Sequence, residues 1–163
     1  MSKRIILVGP ACAGKDFIRN KFKERGYRVD VSYTSRPPRD TEIDGIDYHF
    51  IGDEFPYRIS QNEFYEYIQH GDYWYGTGMR EWNTSDVFIM ETDGLKHISP
   101  EERKNCLVIY VNTPEHIRIK RMKARGWDNN KMWDRIIIDE KKFRDFRDFD
   151  IEISSMKHIS TII

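Results

Sequence analysis

Cysteine is scarce in this sequence. Only Cys12 and Cys106 are present, and they lie far apart rather than at the close spacing of a metal-binding pair. Two isolated cysteines fit a reduced compartment and give no basis for a disulfide framework or a zinc site. Net charge is also absent, because 27 basic and 27 acidic side chains cancel. Since proteins that coat nucleic acid carry a basic excess, we expect no nucleic-acid partner, although a local pocket for one small anion is still possible.

Long apolar runs are missing as well. The sequence opens with MSKRIILVGP, in which a short apolar run is cut off by a Gly-Pro pair. This run is too short for a signal peptide and far too short for a membrane span. We therefore expect a cytoplasmic protein with no membrane partner. Its 163 residues suit one domain.

Short apolar runs alternate with helical patterns. Continuous apolar runs predict strands at residues 5–8, 87–90 and 106–111, and shorter strands are predicted at 29–33, 48–51 and 151–153. Helices are predicted at 16–25, 114–124 and 130–146, residues 36–45 read as a loop, and 62–69 receive no assignment. This order predicts an α/β fold with a mainly parallel central sheet.

The first strand is followed by the run GPACAGK at residues 9–15, which matches the first seven positions of the Walker A pattern. Such a loop turns its backbone N–H groups and its lysine toward the phosphates of a nucleoside triphosphate, at the start of a helix. The alternative is an ordinary strand-to-helix turn with a surface lysine. A buried-type strand before the loop and a helix after it favour the phosphate loop.

Asp16 departs from that pattern, because Ser or Thr usually stands there and helps to hold Mg²⁺. A carboxylate is also a hard oxygen ligand and can hold the ion directly or through water. It is equally suited to the first turn of a helix, where the macrodipole favours a negative charge. The sequence leaves both roles open.

A second block suggests a site for a phosphorylated acceptor. Arg36 and Arg39 lie three residues apart on a loop stiffened by Pro37 and Pro38. Two arginines so placed can form a fork for a phosphate, with a nearby tyrosine hydroxyl to complete it. Paired arginines on loops are more often simply solvated, so spacing alone does not decide between these roles.

Here a family resemblance appears. The run SYTSRPPRDTEIDGIDYHF at residues 32–50 resembles the monophosphate-binding segment of guanylate kinases, as do EFYE at 63–66 and YWYGT at 73–77. The resemblance extends from Ile5 to about Ser154. It implies a P-loop NTPase-type three-layer fold, ATP and Mg²⁺ as cofactors, and phosphorylation of GMP or dGMP to the diphosphate.

The resemblance also implies a division of the single domain 1–163. A core would comprise about 1–31 and 85–163, a small monophosphate-binding subdomain about 32–84, and a helical lid about 121–138. No oligomer is specified, and we expect a monomer or a weak homodimer.

Roles follow from the matching positions. The residues implied for ATP are Gly9, Ala11, Cys12, Ala13, Gly14, Lys15 and Asp16. Those implied for GMP are Arg36, Arg39, Tyr48 and Tyr75 at the phosphate, and Ser32, Glu66, Thr77 and Asp93 at the guanine. The residues implied for catalysis are Lys15, Arg36 and the lid arginines Arg121, Arg125 and Arg135. Chemistry agrees at Glu66, since a carboxylate can accept from both N1–H and N2–H₂ of guanine.

Two positions carry open alternatives. Glu91 stands where the family has an aspartate at the end of a strand, so it is a candidate Mg²⁺ ligand or an ordinary acid at a strand end. The basic run at residues 118–125 is a mobile arginine lid or a solvated basic helix.

Two other functions also stay open. One is a kinase of the same fold that acts on another phosphorylated acceptor, such as a ribose bisphosphate. The other is a non-catalytic guanylate-kinase-like binding module, although such modules typically lose the phosphate loop.

Overall fold

The computed structural model of the chain describes residues 3–154 and residue 158. Its strands are β1 (Arg4–Val8), β2 (Tyr33–Thr34), β3 (His49–Phe50), β4 (Phe64–His70), β5 (Tyr73–Gly78), β6 (Val87–Ile89), β7 (Cys106–Val111) and β8 (Ile151–Ile153). Its helices are α1 (Lys15–Glu24), α2 (Phe55–Ser60), α3 (Met79–Thr84), α4 (Thr92–Leu95), α5 (Pro100–Arg103), α6 (Glu115–Ala124) and α7 (Asn129–Phe143). The last residues of the predicted core segment, 155–157 and 159–163, lie outside this description, as do Met1 and Ser2.

The first sheet is entirely parallel, with strand order β6-β1-β7-β8. Because side chains alternate along a strand, β1 contributes to an apolar cluster on each face. One face includes Ile5, Leu7, Ile18 and Phe22, and the other includes Ile6, Val8, Trp82 and Phe143. Helices therefore cover both faces, and the predicted three-layer α/β fold is confirmed.

The second sheet has the order β3-β2-β5-β4 and is mixed. Strands β2 and β3 run parallel, whereas β5 is antiparallel to both β2 and β4. Phe55 of α2 stacks on Phe64 of β4 with ring centroids 4.5 Å apart, which packs the helix onto this sheet. The segment 62–69, left unassigned from the sequence, thus supplies most of β4.

The predicted strand at 29–33 is wrong for most of its length. Val29 makes a single bridge to Val87 of β6, and the Asp30 N–H donates to the Val87 carbonyl at 2.8 Å. The chain then leaves the first sheet and joins the second only at Tyr33. One apolar-rich segment therefore connects two sheets instead of extending either.

The last long helix is shorter than predicted, because α7 ends at Phe143. Phe146 turns back onto Tyr110 of β7, with ring centroids 5.4 Å apart. The ring is partly buried and packs against the apolar cluster that includes Tyr110 and Phe143. Among the described residues, no helix combines the length and apolarity needed to cross a membrane.

Candidate active site

A cavity of about 220 Å³ lies between the phosphate loop and the second sheet. The loop that follows β1 supplies Ala11, Cys12 and Lys15 to its wall. Two loop residues have positive φ angles, 59° at Cys12 and 102° at Gly14. This left-handed conformation is inexpensive for Gly14 but unusual for a residue with a side chain. The loop is therefore held in a conformation that its sequence only partly favours.

Gly9 is required by close packing. A Cβ atom at this position would lie 2.5 Å from the Val111 carbonyl oxygen at the end of β7. No real Cβ contact is that short, so any larger residue would push the loop away from the sheet.

Lys15 begins α1 and folds back over the loop. Its Nζ donates to the carbonyl oxygens of Gly9 and Pro10, at 2.5 and 3.0 Å. Burial lowers the pKa of Lys15, while the nearby carboxylates of Glu91 and Asp16 act in the opposite direction. The ammonium group thus lies at the mouth of the loop, where outer phosphates are bound in this motif.

Two of the predicted lid arginines already touch the loop. Arg121 Nη1 donates to the Cys12 carbonyl at 2.9 Å, and Arg125 Nη1 lies 3.5 Å from the Cys12 Sγ. Both arginines also line a cavity with Gly14 and Lys15 on the outer side of the loop. The structure therefore brings these cations to the proposed triphosphate site.

Arg135 reaches the same region from α7. Its guanidinium contacts the His70 Nε2, lies 3.0 Å from Asp139 Oδ1 through Nε, and lies 3.8 Å from Glu91 Oε1. Burial and then the Arg135 charge lower the pKa of His70, which favours the neutral imidazole beside the guanidinium. Arg135 thus brings α7 into contact with β4 of the second sheet.

Asp139 ties α7 to the phosphate loop. Its side chain is 1% exposed and its Oδ2 accepts from the Ala11 N–H at 2.9 Å. Arg118 Nη1 lies 3.4 Å from the same oxygen. A buried carboxylate so close to two guanidiniums is electrically compensated, so it can fix the loop without an unpaired charge.

The predicted phosphate end of the acceptor site is only partly assembled. Arg39, Tyr48 and Tyr75 line the cavity. Arg36 does not line it, because its guanidinium forms a two-pronged contact with Glu42, both N–O distances being 2.9 Å. The guanidinium carbon of Arg36 lies 5.7 Å from the centroid of the Tyr48 ring, so Arg36 supports that ring. To bind a phosphate directly, Arg36 would have to exchange Glu42 for the ligand.

The predicted guanine end is built around Glu66 of β4. Its carboxylate is buried, lines the cavity, and accepts from the Thr77 hydroxyl at 2.7 Å. Burial raises the pKa of Glu66 to about 7, although the Thr77 hydrogen bond opposes the shift. Ser32 also lines the cavity, whereas Thr77 is 1% exposed and is not among the lining residues. Thr77 is thus placed to hold Glu66 rather than to touch a base.

Asp93 is not brought to this cavity. It lies in the first turn of α4, exposed to solvent, and accepts from the Lys96 Nζ at 2.7 Å. The sequence prediction that Asp93 reads guanine is therefore not supported by its position. Glu91, two residues earlier, lines the cavity instead.

Asp16 and Glu91, the two predicted Mg²⁺ ligands, are not equally suited to hold the ion. The Asp16 side chain is 72% exposed and lines the cavity beside Lys15, and Arg19 Nη2 lies 3.5 Å from its Oδ1. Both carboxylate oxygens of Glu91 already face basic side chains. Lys142 Nζ lies 2.9 Å from Oε2, and Arg135 Nη2 lies 3.8 Å from Oε1. Burial would raise the pKa of Glu91, but Lys142, Lys15 and Arg135 together lower it to about 2.

Across the described part of the chain, no group of three His, Cys, Asp or Glu side chains is placed to hold a metal alone. Mg²⁺ commonly takes one or two carboxylates plus substrate phosphates. Asp16 suits that arrangement, whereas Glu91 suits an anchor for basic residues.

Sequence reasoning missed several residues of this site. They are Arg19, Asp30, Glu42, His70, Asp139 and Lys142. Arg19, Asp30 and Glu42 have partners close by in sequence, namely Asp16, Ser32 and Arg36. His70, Asp139 and Lys142 instead join segments far apart in sequence, such as Ala11 and Asp139, which are separated by 128 positions.

The chain resembles known proteins over most of its length. A family model described as "Guanylate kinase" matches residues 1–159. The guanylate kinase of Latilactobacillus sakei subsp. sakei (strain 23K) is 32% identical over 142 residues, which cover 80% of this chain and 70% of that protein. The guanylate kinase of Onion yellows phytoplasma (strain OY-M) is 33% identical over 133 residues, which cover 75% of this chain and 63% of that protein.

A solved guanylate kinase structure has a fold similar to that of this chain. The guanylate kinase from Anaplasma phagocytophilum matches 99% of this chain and 82% of its own with a TM-score of 0.65, at 19% identity. That identity supports the fold alone, and the P-loop NTPase-type architecture is thereby confirmed. The matched part of this chain spans about two thirds of the length of the curated relatives. With a family model matched over nearly all its residues and a curated relative above 30% identity, the chain belongs to the guanylate kinase family.

Proposed function

We propose that this protein is a nucleoside monophosphate kinase that transfers the γ-phosphoryl group of ATP to GMP or dGMP. The observation that carries the proposal is the single cavity that joins Lys15 of the phosphate loop to Arg39 and Glu66 of the second sheet. A donor phosphate at the loop and an acceptor nucleotide in this cavity would place their reacting atoms side by side. Holding reactants in that geometry supplies much of the rate enhancement in phosphoryl transfer.

The acceptor would lie with its base at Glu66 and its phosphate at Arg39, Tyr48 and Tyr75. Its phosphate is already an anion and a nucleophile, so no general base is required. The protein's task is to orient this phosphate toward the γ-phosphorus and to keep water out of the path. By exchange of Glu42 for the ligand, Arg36 would add a second guanidinium to the acceptor phosphate.

Cations around the loop would neutralise the transferring group. Lys15, Arg121 and Arg125 lie at the loop, and Arg135 lies between the loop and the second sheet. Transfer between two phosphates concentrates negative charge, so such cations stabilise the transition state more than the separated reactants. We propose that residues 121–138 act as a lid and residues 32–84 as the monophosphate-binding part of a single domain.

Magnesium is implied by the family, and Asp16 is the residue that fits it. Bound with ATP, the ion would neutralise and orient the triphosphate oxygens. Asp16 would hold it directly or through water, beside Lys15. Glu91 is proposed as a fixed anchor for Lys142 and Arg135 rather than as a second ligand.

A coupled assay of ATP consumption with GMP, dGMP, AMP, CMP and UMP tests the activity. Turnover of a guanine nucleotide should exceed that of AMP by roughly 100-fold or more, since a site built for N–H donors rejects a base that lacks them. Equal turnover of AMP and GMP, or no turnover of any monophosphate, would contradict the proposal.

Lys15→Met should abolish activity without unfolding the protein. Lys21→Met is the matched control, because Lys21 lies on the same helix and pairs only with Glu24 among the described carboxylates. The protein is proposed to work in the cytoplasm. It is also proposed to be a monomer or a weak homodimer, and light scattering at several protein concentrations would measure its mass.

A further inference from the structure

His70 lies at the end of β4 and has no role in the mechanism above. It is half-buried and lines the cavity between the phosphate loop and the second sheet. Its Nε2 contacts the Nη1 of Arg135, which lies 65 positions further along the chain, on α7. This contact joins the proposed lid, residues 121–138, to the proposed monophosphate-binding part, residues 32–84. His70 therefore links the two parts of the chain that the proposed reaction brings together.

The contact fixes the protonation state of His70. A guanidinium carries only N–H donors, so the imidazole nitrogen that faces it must be an acceptor. His70 is then neutral, with its proton on Nδ1. Burial, and then the charge of Arg135, lowers the pKa of His70, which also disfavours the imidazolium. Lys142 adds to this effect, whereas Glu91 and Asp139 oppose it.

Contacts on two sides place the Arg135 guanidinium between the donor and acceptor ends of the cavity. On the donor side, its Nε lies 3.0 Å from Oδ1 of Asp139, whose other oxygen accepts from the Ala11 N–H at 2.9 Å. On the acceptor side, the His70 ring packs edge-on against Tyr75, with ring centroids 6.4 Å apart. The guanidinium thus lies between the phosphate loop and the proposed site of the acceptor phosphate.

His70 differs in charge from the carboxylates around Arg135. Asp139 and Glu91 attract the guanidinium but also compensate its positive charge. The neutral imidazole of His70 accepts one N–H and leaves that charge uncompensated. Resting on the proposed function, we infer that His70 is a positioning residue that acts through Arg135. It holds the guanidinium at the junction of the donor and acceptor phosphates without cancelling the charge that stabilises the transferring group.

The experiment replaces His70 by two residues of similar size that differ in one property. Leucine offers no acceptor, whereas the side-chain oxygen of glutamine can accept from Arg135. At pH 8, His70→Leu should lower kcat for GMP roughly tenfold to 100-fold, the worth of a hydrogen bond to a charged group. KM for GMP and for ATP should change by less than about threefold, because the lost contact acts on the transition state. His70→Gln should recover most of the lost kcat.

A double variant tests whether His70 acts through Arg135. If it does, Arg135→Ala combined with His70→Leu should be no slower than Arg135→Ala alone. His97→Leu is the control and should keep the wild-type kcat, since His97 is exposed and lines neither cavity at the loop. Circular dichroism melts confirm that each variant is folded.

Nitrogen-15 NMR of the His70 imidazole tests the contact without any need for turnover. In the wild type, Nδ1 should carry the proton, and the pKa should lie below the ordinary value for histidine. Arg135→Ala removes the neighbouring positive charge, so the pKa of His70 should rise. Glu91 and Asp139, no longer paired with Arg135, should add to that rise.

Equal kcat in His70→Leu and His70→Gln, effects that multiply in the double variant, or a proton on Nε2 of neutral wild-type His70 would overturn the inference. These outcomes are distinct from failure of the proposed function. If the wild type phosphorylates GMP but the two His70 variants do not differ, only the role of His70 is refuted. If no monophosphate is turned over, the proposed function fails, and the NMR measurement alone decides whether His70 holds Arg135.

Discussion

Glu66→Gln should make the protein more stable at alkaline pH while damaging its proposed recognition of guanine. In the wild type, burial raises the pKa of Glu66 from an ordinary 4.5 to about 7. That shift corresponds to about 3 kcal/mol of lost stability once the pH is well above 7, because each pKa unit represents about 1.4 kcal/mol. A glutamine carries no charge to desolvate, and its amide oxygen can still accept from Thr77.

The sign of the pH dependence follows from proton binding. Between pH 4.5 and about 7 the folded wild type keeps the Glu66 proton, whereas the unfolded chain has lost it. Wild-type stability therefore falls as the pH rises through this window. The glutamine variant lacks this contribution, so its advantage should be near zero at pH 4.5 and approach about 3 kcal/mol at pH 8.5.

Urea unfolding at several pH values measures the difference, and Glu63→Gln is the control. Glu63 is exposed and lies 3.7 Å from Arg58, outside the cavity. Asp30 also has a raised pKa and its charge adds to the shift at Glu66, so the difference between the wild type and Glu66→Gln includes the mutual repulsion of these two carboxylates.

The same substitution should lower kcat/KM for GMP by roughly 100-fold to 10,000-fold. It replaces one of two carboxylate acceptors by an NH₂ donor that faces a donor on the base. A Glu66→Gln protein that is less stable than wild type at pH 8.5, or whose stability difference does not vary with pH, would refute the reasoning. Unchanged activity with GMP would refute the assignment of Glu66 to the base.

Two further substitutions test the phosphate loop and its cations. Arg125→Ala should lower kcat by roughly 1,000-fold, the scale of a charge-stabilising arginine, with little change in stability because the side chain is exposed. Lys123→Ala, an exposed change in the same helix that lines neither cavity at the loop, should leave kcat within about twofold in the ATP-consumption assay. Gly9→Ala should cost roughly 1–3 kcal/mol in urea unfolding, since its Cβ would meet the Val111 carbonyl at 2.5 Å. Wild-type stability of that variant would show that the loop and β7 can separate freely.

The phosphate loop could be predicted from the sequence because its chemistry is local. The strand, the loop and the helix are consecutive, and one spacing rule joins Gly9, Gly14 and Lys15. The structure adds a support that no spacing rule contains, namely Asp139. Its contact with the Ala11 N–H spans 128 positions, and nothing near either residue signals the other.

Asp93 is a position where the role implied by the family resemblance and the place given by the structure differ. If the strand continued past Glu91, residues two apart would point to the same side, and Glu91 and Asp93 would share a face. The chain instead enters α4 at Thr92, and a helix turns about 100° per residue. Glu91 consequently faces the cavity, while Asp93 faces solvent and pairs with Lys96.

Arg36 illustrates a different limit. Its position on a proline-stiffened loop is compatible with half of a phosphate fork or with a solvated side chain, whereas in the structure its guanidinium is paired with Glu42. The pair is only 11% and 15% exposed at its side chains, so exchange with a phosphate must replace one compensated charge by another. Sequence reveals that an arginine is present but not what already holds it.

Four cations of the site, Arg121, Arg125, Arg135 and Lys142, differ in their partners. Arg135 and Lys142 are paired with Glu91, and Arg135 is paired with Asp139 as well. Arg121 and Arg125 form no salt bridge with any described carboxylate, and their contacts are to backbone and sulfur of Cys12. Because a paired guanidinium must give up its carboxylate before it can bind phosphate, the full positive charge of Arg121 and Arg125 is available at once. We therefore expect Arg121 and Arg125 to engage an incoming triphosphate before Arg135, which can follow only when the gain at the phosphates exceeds its attraction to Glu91 and Asp139.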